Sequence, residues 1–336
     1  MSFGGYVRAL IFQVQLRNMK MNCLIRNLGL ALYLIFLLTS NDAYALTLTP
    51  VKVEIAGDPG QTLSGEIDLY NEQADGKLFY ISYENFEPGN DEDGSPKFVG
   101  GGSDLATWIQ TDASVSIVQN EKKTIPYSIT IPKDALPGGY FGAIFFGGQN
   151  PSVLENGQVS VGGKLGTLIL LTVRGGIENG AGIIDFKANY GRVSVSVPVS
   201  FTFRISNSGV DRIMPTGDVR ITNTFGMETV VIPANAKGGN VLPGSTRKFS
   251  IVWGSLDNAT GFFGALKKQW QDIHFGWYTA HIRIVWGEKA SVSESRYDFF
   301  LVPWQLLSVL LIVLIVIFVG LKRYNKWIIS RSRPSR

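Results

Sequence analysis

Cysteine and histidine are almost missing from this chain. Its 336 residues include one cysteine, Cys23, and two histidines, His274 and His281. Cys23 precedes the apolar run Leu28 to Leu38, so it is expected to leave with a cleaved leader; a lipid-bearing cysteine would follow that run. The mature chain then has no thiol, which excludes disulfides, thiolate metal sites and cysteine nucleophiles. Two histidines without cysteine do not build a common zinc site unless carboxylates complete it. No Gly-x-Ser-x-Gly, phosphate loop or His-Glu-x-x-His is present. The expectation is a non-enzyme without cofactor or metal, the remaining enzymatic route being a hydrolase built from dispersed carboxylates.

Basic charge is also scarce where a nucleic-acid binder would need it. The net charge is +4, but of the 31 basic residues four precede residue 46 (Arg8, Arg17, Lys20, Arg26) and six follow Leu321. Residues 46–321 are left with 21 basic and 26 acidic residues. The positive charge belongs to segments that steer membrane insertion, and no nucleic-acid partner is expected.

The two ends predict the topology. Arg17, Lys20 and Arg26 precede eleven apolar residues, Leu28 to Leu38, and Ala43-Tyr44-Ala45 supplies a small-x-small cleavage site: together these read as a signal peptide over 1–45. The residues before Met19 add little, and Met19 and Met21 are alternative starts. Near the other end, Pro303 to Leu321 is nineteen residues without a charge. As a helix that stretch rises about 28 Å, close to the hydrocarbon thickness of a bilayer. Trp304 and Trp327 stand at its borders, and Lys322, Arg323, Lys326, Arg331, Arg333 and Arg336 follow. Basic flanks stay cytoplasmic, so a single span over 302–322 would leave 323–336 inside and 46–301 outside the cytoplasmic membrane.

Between the ends the pattern is of short strands. In the first half the runs are 46–55, Gly65 to Tyr70, Leu78 to Tyr83, Ser114 to Val118, Thr124 to Ile131, Tyr140 to Phe146 and Leu165 to Val173, broken by turns such as Asp58-Pro59-Gly60. After Arg174-Gly175-Gly176 a second set follows: 183–186, 193–197, 199–205, 217–222, 229–232, 247–253, 278–286 and 295–300. Asn207-Ser208-Gly209 reads as a hairpin turn. Many short strands with Gly/Pro turns predict an all-β protein of two tandem immunoglobulin-like β-sandwich domains, 46–174 and 175–301. The halves echo each other: Gly139-Tyr-Phe-Gly-Ala143 against Gly276-Trp-Tyr-Thr-Ala280, and Thr124 to Ile129 against Thr246 to Ile251. An aromatic opening such a late strand can close the corner between sheets with its polar tip.

Two segments depart from the strand rhythm. Gly89 to Ser95 is acidic; aligned as a calcium loop it places Asp91 and Asp93 at ligand positions but Gly89 and Gly100 where carboxylates are needed, so it reads as a solvated turn, calcium being the lesser alternative. Gly261 to Phe275 predicts a short helix with Leu266, Trp270 and Ile273 on one face. It caps the second core, binds a partner through Phe262, Phe263, Leu266, Trp270, Ile273 and Phe275, or dips into the bilayer surface beside the anchor.

Taken together, Thr49-Pro50-Val51, Pro59-Gly60, Trp108-Ile109, Ile131-Pro132 and Pro137 to Ile144, followed by Phe203 to Gly209, Pro215 to Ile221 and Leu242-Pro-Gly-Ser245, resemble the cell-surface proteins of Gram-positive bacteria that interact with WxL-domain proteins. The order of signal peptide, two β domains, terminal helix and basic tail is similar too. The resemblance implies peptidoglycan binding for the first domain and the holding of WxL proteins for the second. The segments 87–95 and 261–275 have no counterpart in it. The functional expectation is a membrane-anchored extracellular binding or scaffold protein facing a cell-wall polymer such as peptidoglycan, or a secreted surface protein. The alternative is an immunoglobulin-like assembly chaperone or accessory subunit of a membrane complex.

Overall fold

The computed structural model describes Gly29 and residues 46–72, 75–148, 163–176, 180–254, 261–287 and 289–331. Apart from Gly29, the expected signal peptide with its cleavage site, and the tail residues Arg333 and Arg336, lie outside the described residues.

Among the described residues ten strands build a first sandwich and eight a second. In chain order the first group is β1 (Leu46–Thr49), β2 (Lys52–Gly57), β3 (Thr62–Asn71), β4 (Lys77–Pro88), β5 (Pro96–Gly100), a one-turn helix α1 (Asp104–Trp108), β6 (Ile109–Gln110), β7 (Ser114–Ile117), β8 (Lys122–Thr130), β9 (Gly138–Gly147) and β10 (Leu165–Val173). The second is β11 (Ala181–Ala188), β12 (Val193–Ser194), β13 (Val199–Asn207), β14 (Thr216–Asn223), β15 (Glu228–Pro233), β16 (Ser245–Trp253), helix α2 (Gly261–Gln271), β17 (Gly276–Trp286), β18 (Ser291–Leu301) and helix α3 (Trp304–Arg331).

Alternation decides which faces meet. Along β3 and β8, Ile67, Leu69, Ile125 and Ile129 turn inward, and from the opposing sheet Phe79, Ile81, Ile144, Phe146, Ile169 and Leu171 close on them. In the second sandwich Phe201, Phe203 and Ile205 of β13 and Phe249 and Ile251 of β16 meet Val219, Ile221, Ala280, Ile282, Ile284 and Phe299. Phe203 and Phe249 stack with their centroids 5.2 Å apart.

Strand order shows that the halves are the same fold. The sheet β2-β10-β9-β4-β5 recurs as β12-β18-β17-β14-β15, and β1-β3-β8 recurs as β11-β13-β16. In each half the strand after the first crosses to the other sheet and pairs parallel with the last, β2 on β10 and β12 on β18. Pro50, which lacks an amide donor, stands at the crossing in the first half. The corner tyrosine is present twice. The Tyr140 hydroxyl donates to the Leu136 carbonyl at 3.1 Å, and the Tyr278 hydroxyl meets His274 Nδ1 at 3.3 Å. Tyr278, not Trp277, is thus the partner of Tyr140, one residue off the sequence echo; Trp277 points outward, because a slip of one residue exchanges the faces of a strand.

Asn207-Ser208-Gly209 is not a hairpin turn. β13 pairs with β11 and β16, so the chain after Asn207 leaves that sheet and reaches β14 in the other. The buried Asn207 amide donates to the carbonyls of Asp211 (2.8 Å) and Val241 (2.9 Å), pinning the connection where it faces the first sandwich.

α3 follows β18 after two residues. Its apolar stretch Trp304–Ile328 has a mean hydropathy of 2.8 and beyond its first turn is not buried in the protein, so it is long and apolar enough to cross a membrane and is not a core helix.

Candidate partner-binding surfaces

The two sandwiches are joined by a polar clasp. Glu54 of β2 accepts from Asn240 Nδ2 at 2.7 Å and lies 3.6 Å from Arg212 Nη2. Arg212 Nη1 donates to Thr172 Oγ1 (2.7 Å), whose hydroxyl donates to Asp211 (2.8 Å), and the Gly139 amide donates to the Val210 carbonyl (2.9 Å). Burial pushes the Glu54 carboxyl up, but the hydrogen bonds from Lys52 and Asn240 and the charge of Arg212 outweigh it and leave it below its ordinary range. Beside the clasp, Leu168 and Leu170 of β10 face Gly238, Gly239 and Leu242 across a cleft of about 240 Å³.

The acidic loop is an exposed turn, as read from the sequence, and its Glu92 adds a second half to this clasp. Glu92, at φ 56°, sends its carboxylate to Arg204 of β13, with Nε donating at 2.8 Å, while its carbonyl accepts from the Lys248 amide at 2.7 Å. The hydrogen bond from Arg204 holds the Glu92 carboxyl below its usual range. Asp93 accepts from the Ser95 amide (2.7 Å) and hydroxyl (2.8 Å), which lowers its carboxyl too. Sequence could not point to this: Arg204 lies 112 residues downstream. Among the described residues no group of three or more His, Cys, Asp or Glu is gathered as for a metal ion.

The opposite end of the second sandwich is aromatic, and the six residues expected to bind a partner lie there. Phe262, Phe263 and Trp270 are exposed on α2, with Leu266 half-buried between them. Ile273 and Phe275 are exposed as well, but α2 ends at Gln271, so Ile273 stands in the following loop and not on a helical face with Leu266 and Trp270. Nor does α2 cap the core: its buried residue is Gln269, whose Nε2 donates to the Val195 carbonyl (3.2 Å) and whose Oε1 accepts from the Leu306 amide (3.1 Å). Of the histidines, His281 is exposed on β17 beside buried Ile282, as the alternation requires. His274 packs 4.9 Å from Trp253, and burial pushes its pKa down.

Sheet edges differ in how they are guarded. β5 carries Pro96 and Lys97; β8, open beyond the two residues of β6, carries Lys122, Lys123 and Pro126. β11 has a bulge with Asp185 and Lys187, β2 has Lys52 and Glu54, and β16 is met by the Glu92 loop. β1 and β12 are short, at four and two residues. β15 offers a charge-free run of four residues, Thr229-Val230-Val231-Ile232, paired with β14 on one side; β1, β7 and β11 hold uncharged runs of the same length and β16 one of five, Phe249 to Trp253. Val230 and Ile232 pack toward the core and Val231 is 42% exposed. Lysine, proline and bulges are the usual guards against strand addition; β15 has a bulge at Thr229, and beyond it Val230-Val231-Ile232 carries none of these guards before Pro233.

A groove of about 790 Å³ crosses β3 and β8 of the first sandwich, lined by Ser64, Glu66, Gln110, Thr111, Asp112, Tyr127 and Ser128. Gly65 lies under Tyr127, where any side chain would collide with the ring. Gly65 and Pro126 complete the lining beside the hydroxyl, amide and carboxylate groups, while the Tyr127 side chain is buried in the core.

No family model and no curated protein matches this sequence. Among solved structures the chain is similar to a class 5 fimbriae chaperone, CfaA, at 12% identity over 77% of this chain and 100% of that one, with a TM-score of 0.37. A chaperone–tip adhesin complex of CFA/I fimbriae biogenesis matches at 12% identity over 77% and 99%, TM-score 0.36. The CsuC–CsuE chaperone–tip adhesion subunit complex of Acinetobacter baumannii matches at 11% over 76% and 99%, TM-score 0.33. At such values they lend no partner or activity to this chain, whose immunoglobulin-like fold stands on its own strand order.

Proposed function

We propose that this chain is a membrane-anchored accessory protein that holds a protein partner outside the cytoplasmic membrane by strand addition to β15. One observation carries the reading: the edge Val230–Ile232, which has neither charge nor proline and leaves Val231 exposed on a strand paired on one side. The role is non-catalytic, since strand addition needs only main-chain donors and acceptors plus pockets for alternate side chains. The basic residues Lys322, Arg323 and Lys326 behind the apolar stretch support an outward-facing pair of sandwiches. A surface protein held permanently and a subunit held until assembly are both partners of this kind.

The test is a photo-crosslinking residue in place of Thr229 in the full-length chain in its own membrane. The expected result is one predominant envelope-protein adduct, reduced about tenfold by Val231→Lys, which sets a charge on the edge without touching the core. An undiminished adduct in that variant rejects the reading.

A second reading is favoured by the groove on the first sandwich. Its hydroxyls and carboxylates suit a polar polymer, and cell-wall peptidoglycan is the ligand that the resemblance to WxL-interacting proteins implies. Purified cell wall should then pellet the protein, and Asp112→Asn with Glu66→Gln should leave it in the supernatant; if the parent protein does not pellet, this reading fails.

A further inference from the structure

The exposed aromatic residues of the second sandwich gather at one end. Phe225 is 84% exposed, Phe263 80% and Trp270 72%, and with them stand Tyr190, Phe262, Phe275, Trp277 and the helix-opening Trp304. Strand register fixes their common level. Gly276 pairs with Leu301, Trp277 with Phe300, and Asn223 lies opposite Tyr278, so the 224–227 turn, the start of β17 and the end of β18 share one edge of the sandwich. That edge is where α3 leaves.

α2 is tied to the same level. Gln269 bridges Val195 and the first turn of α3, and the Phe262 ring lies 5.9 Å from Trp304. Trp304 opens the apolar stretch, where indoles occupy the headgroup layer of a bilayer. α2 is therefore held within a side chain's reach of that layer whenever α3 spans the membrane.

We infer that this end of the second sandwich is seated in the interfacial layer of the bilayer that α3 crosses, with α2 lying along the surface and Phe225, Phe263 and Trp270 inserted among the headgroups. The occupant is lipid and not protein for two reasons on the molecule itself. The patch is continuous with the membrane-spanning surface, and it is aromatic, the composition of interfacial belts, where a ring's apolar body and polar edge are both satisfied. Lys267 is exposed on α2 and suits anionic headgroups. The inference rests on α3 spanning a membrane and is independent of what β15 or the groove binds.

The test uses the full-length chain with Cys23→Ser and single cysteines at Phe225, Phe263 or Trp270, labelled with nitrobenzoxadiazole and reconstituted into vesicles of phosphatidylcholine and phosphatidylglycerol alone. Val292→Cys, exposed at the far end of β18 from α3, is the reference. Lipids carrying a nitroxide near the headgroup should quench the three labels about twofold or more while the reference stays unquenched, as contact with the interfacial layer requires. Three labels as unquenched as the reference, in a sample containing no other protein, overturn the inference and leave the patch for a protein partner. Three separate exposed sites guard against a single substitution that perturbs folding.

Discussion

The second sandwich has two ends built from the same kind of material, loops joining antiparallel strands, yet their chemistry is opposite. Towards the first sandwich stand Arg204, Asp211, Arg212, Asn240 and Arg247; towards α3 stand Phe225, Phe262, Phe263, Trp270, Phe275 and Trp277. At the polar end Asn240, Arg204 and Arg212 are met across the junction by Glu54, Glu92 and Thr172, while the Asn240 Oδ1 oxygen is buried without a partner. Among the described residues the aromatic end is met only by α2 and the first turn of α3. What differs is the neighbour each end was shaped to meet: a second folded surface whose charges can be answered one by one, or a layer of lipid that answers area and not position.

The strongest way to break this contrast is to remove the centre of the polar end. Arg212→Ala takes away hydrogen bonding from a largely buried guanidinium to Thr172 and the charge beside Glu54, and should cost about 2 kcal/mol of the docking between sandwiches. Calorimetry should show one thermal transition resolving into two; a single transition at an unchanged temperature would show that the clasp does not couple the halves.

Acid should loosen the same junction by a second route. Arg204 holds the Glu92 carboxyl below its reference value of 4.5, so the docking contribution is complete above about pH 4.5 and is lost as pH falls through the lower folded-state value. Lys248 adds to the pull on Glu92, and Asp185, on the neighbouring strand, shares Arg204. A spin-label pair across the junction should report a broader distance distribution below pH 4 than at pH 7, and Glu92→Gln should flatten that dependence. An identical acid response in the variant would assign it to other carboxylates.

The smallest effect is expected at the aromatic end. Phe225→Ser in detergent should change stability by about 0.5 kcal/mol or less, because a side chain so exposed is not part of the core. A loss comparable to that of Arg212→Ala would mean that the aromatic end is packed against protein, and the two ends would no longer be different in kind.

The sandwiches were legible because burial on one face writes a period of two into the sequence. β10 was read with its observed bounds, Leu165–Val173, and β9, β14 and β17 within about two residues, since each is a central strand whose neighbours force the pattern. β5 was missed for the converse reason: Pro96 to Gly100 is exposed nearly throughout, so nothing alternates. α1 is a single turn and too short to show a helical period. Asn207-Ser208-Gly209 carries turn chemistry but not the information that β13 and β14 lie in different sheets. The aromatic cluster was half legible. Phe262, Phe263 and Trp270 stand out in the chain, whereas Phe225 and Tyr190 join them only through strand register, which no local pattern records.

Only Val302 and Pro303 separate β18 from α3, and the Trp304 amide turns back to the Val302 carbonyl at 2.8 Å. Such a joint has no slack. A pull on whatever is attached to β15 would travel through the β15–β14, β14–β17 and β17–β18 ladders and reach the anchor as shear on rows of hydrogen bonds loaded together, with no linker to stretch first. If β15 holds a partner as proposed, the molecule acts as a strut: displacement of that partner becomes strain on α3, and the tether holds distance as well as identity.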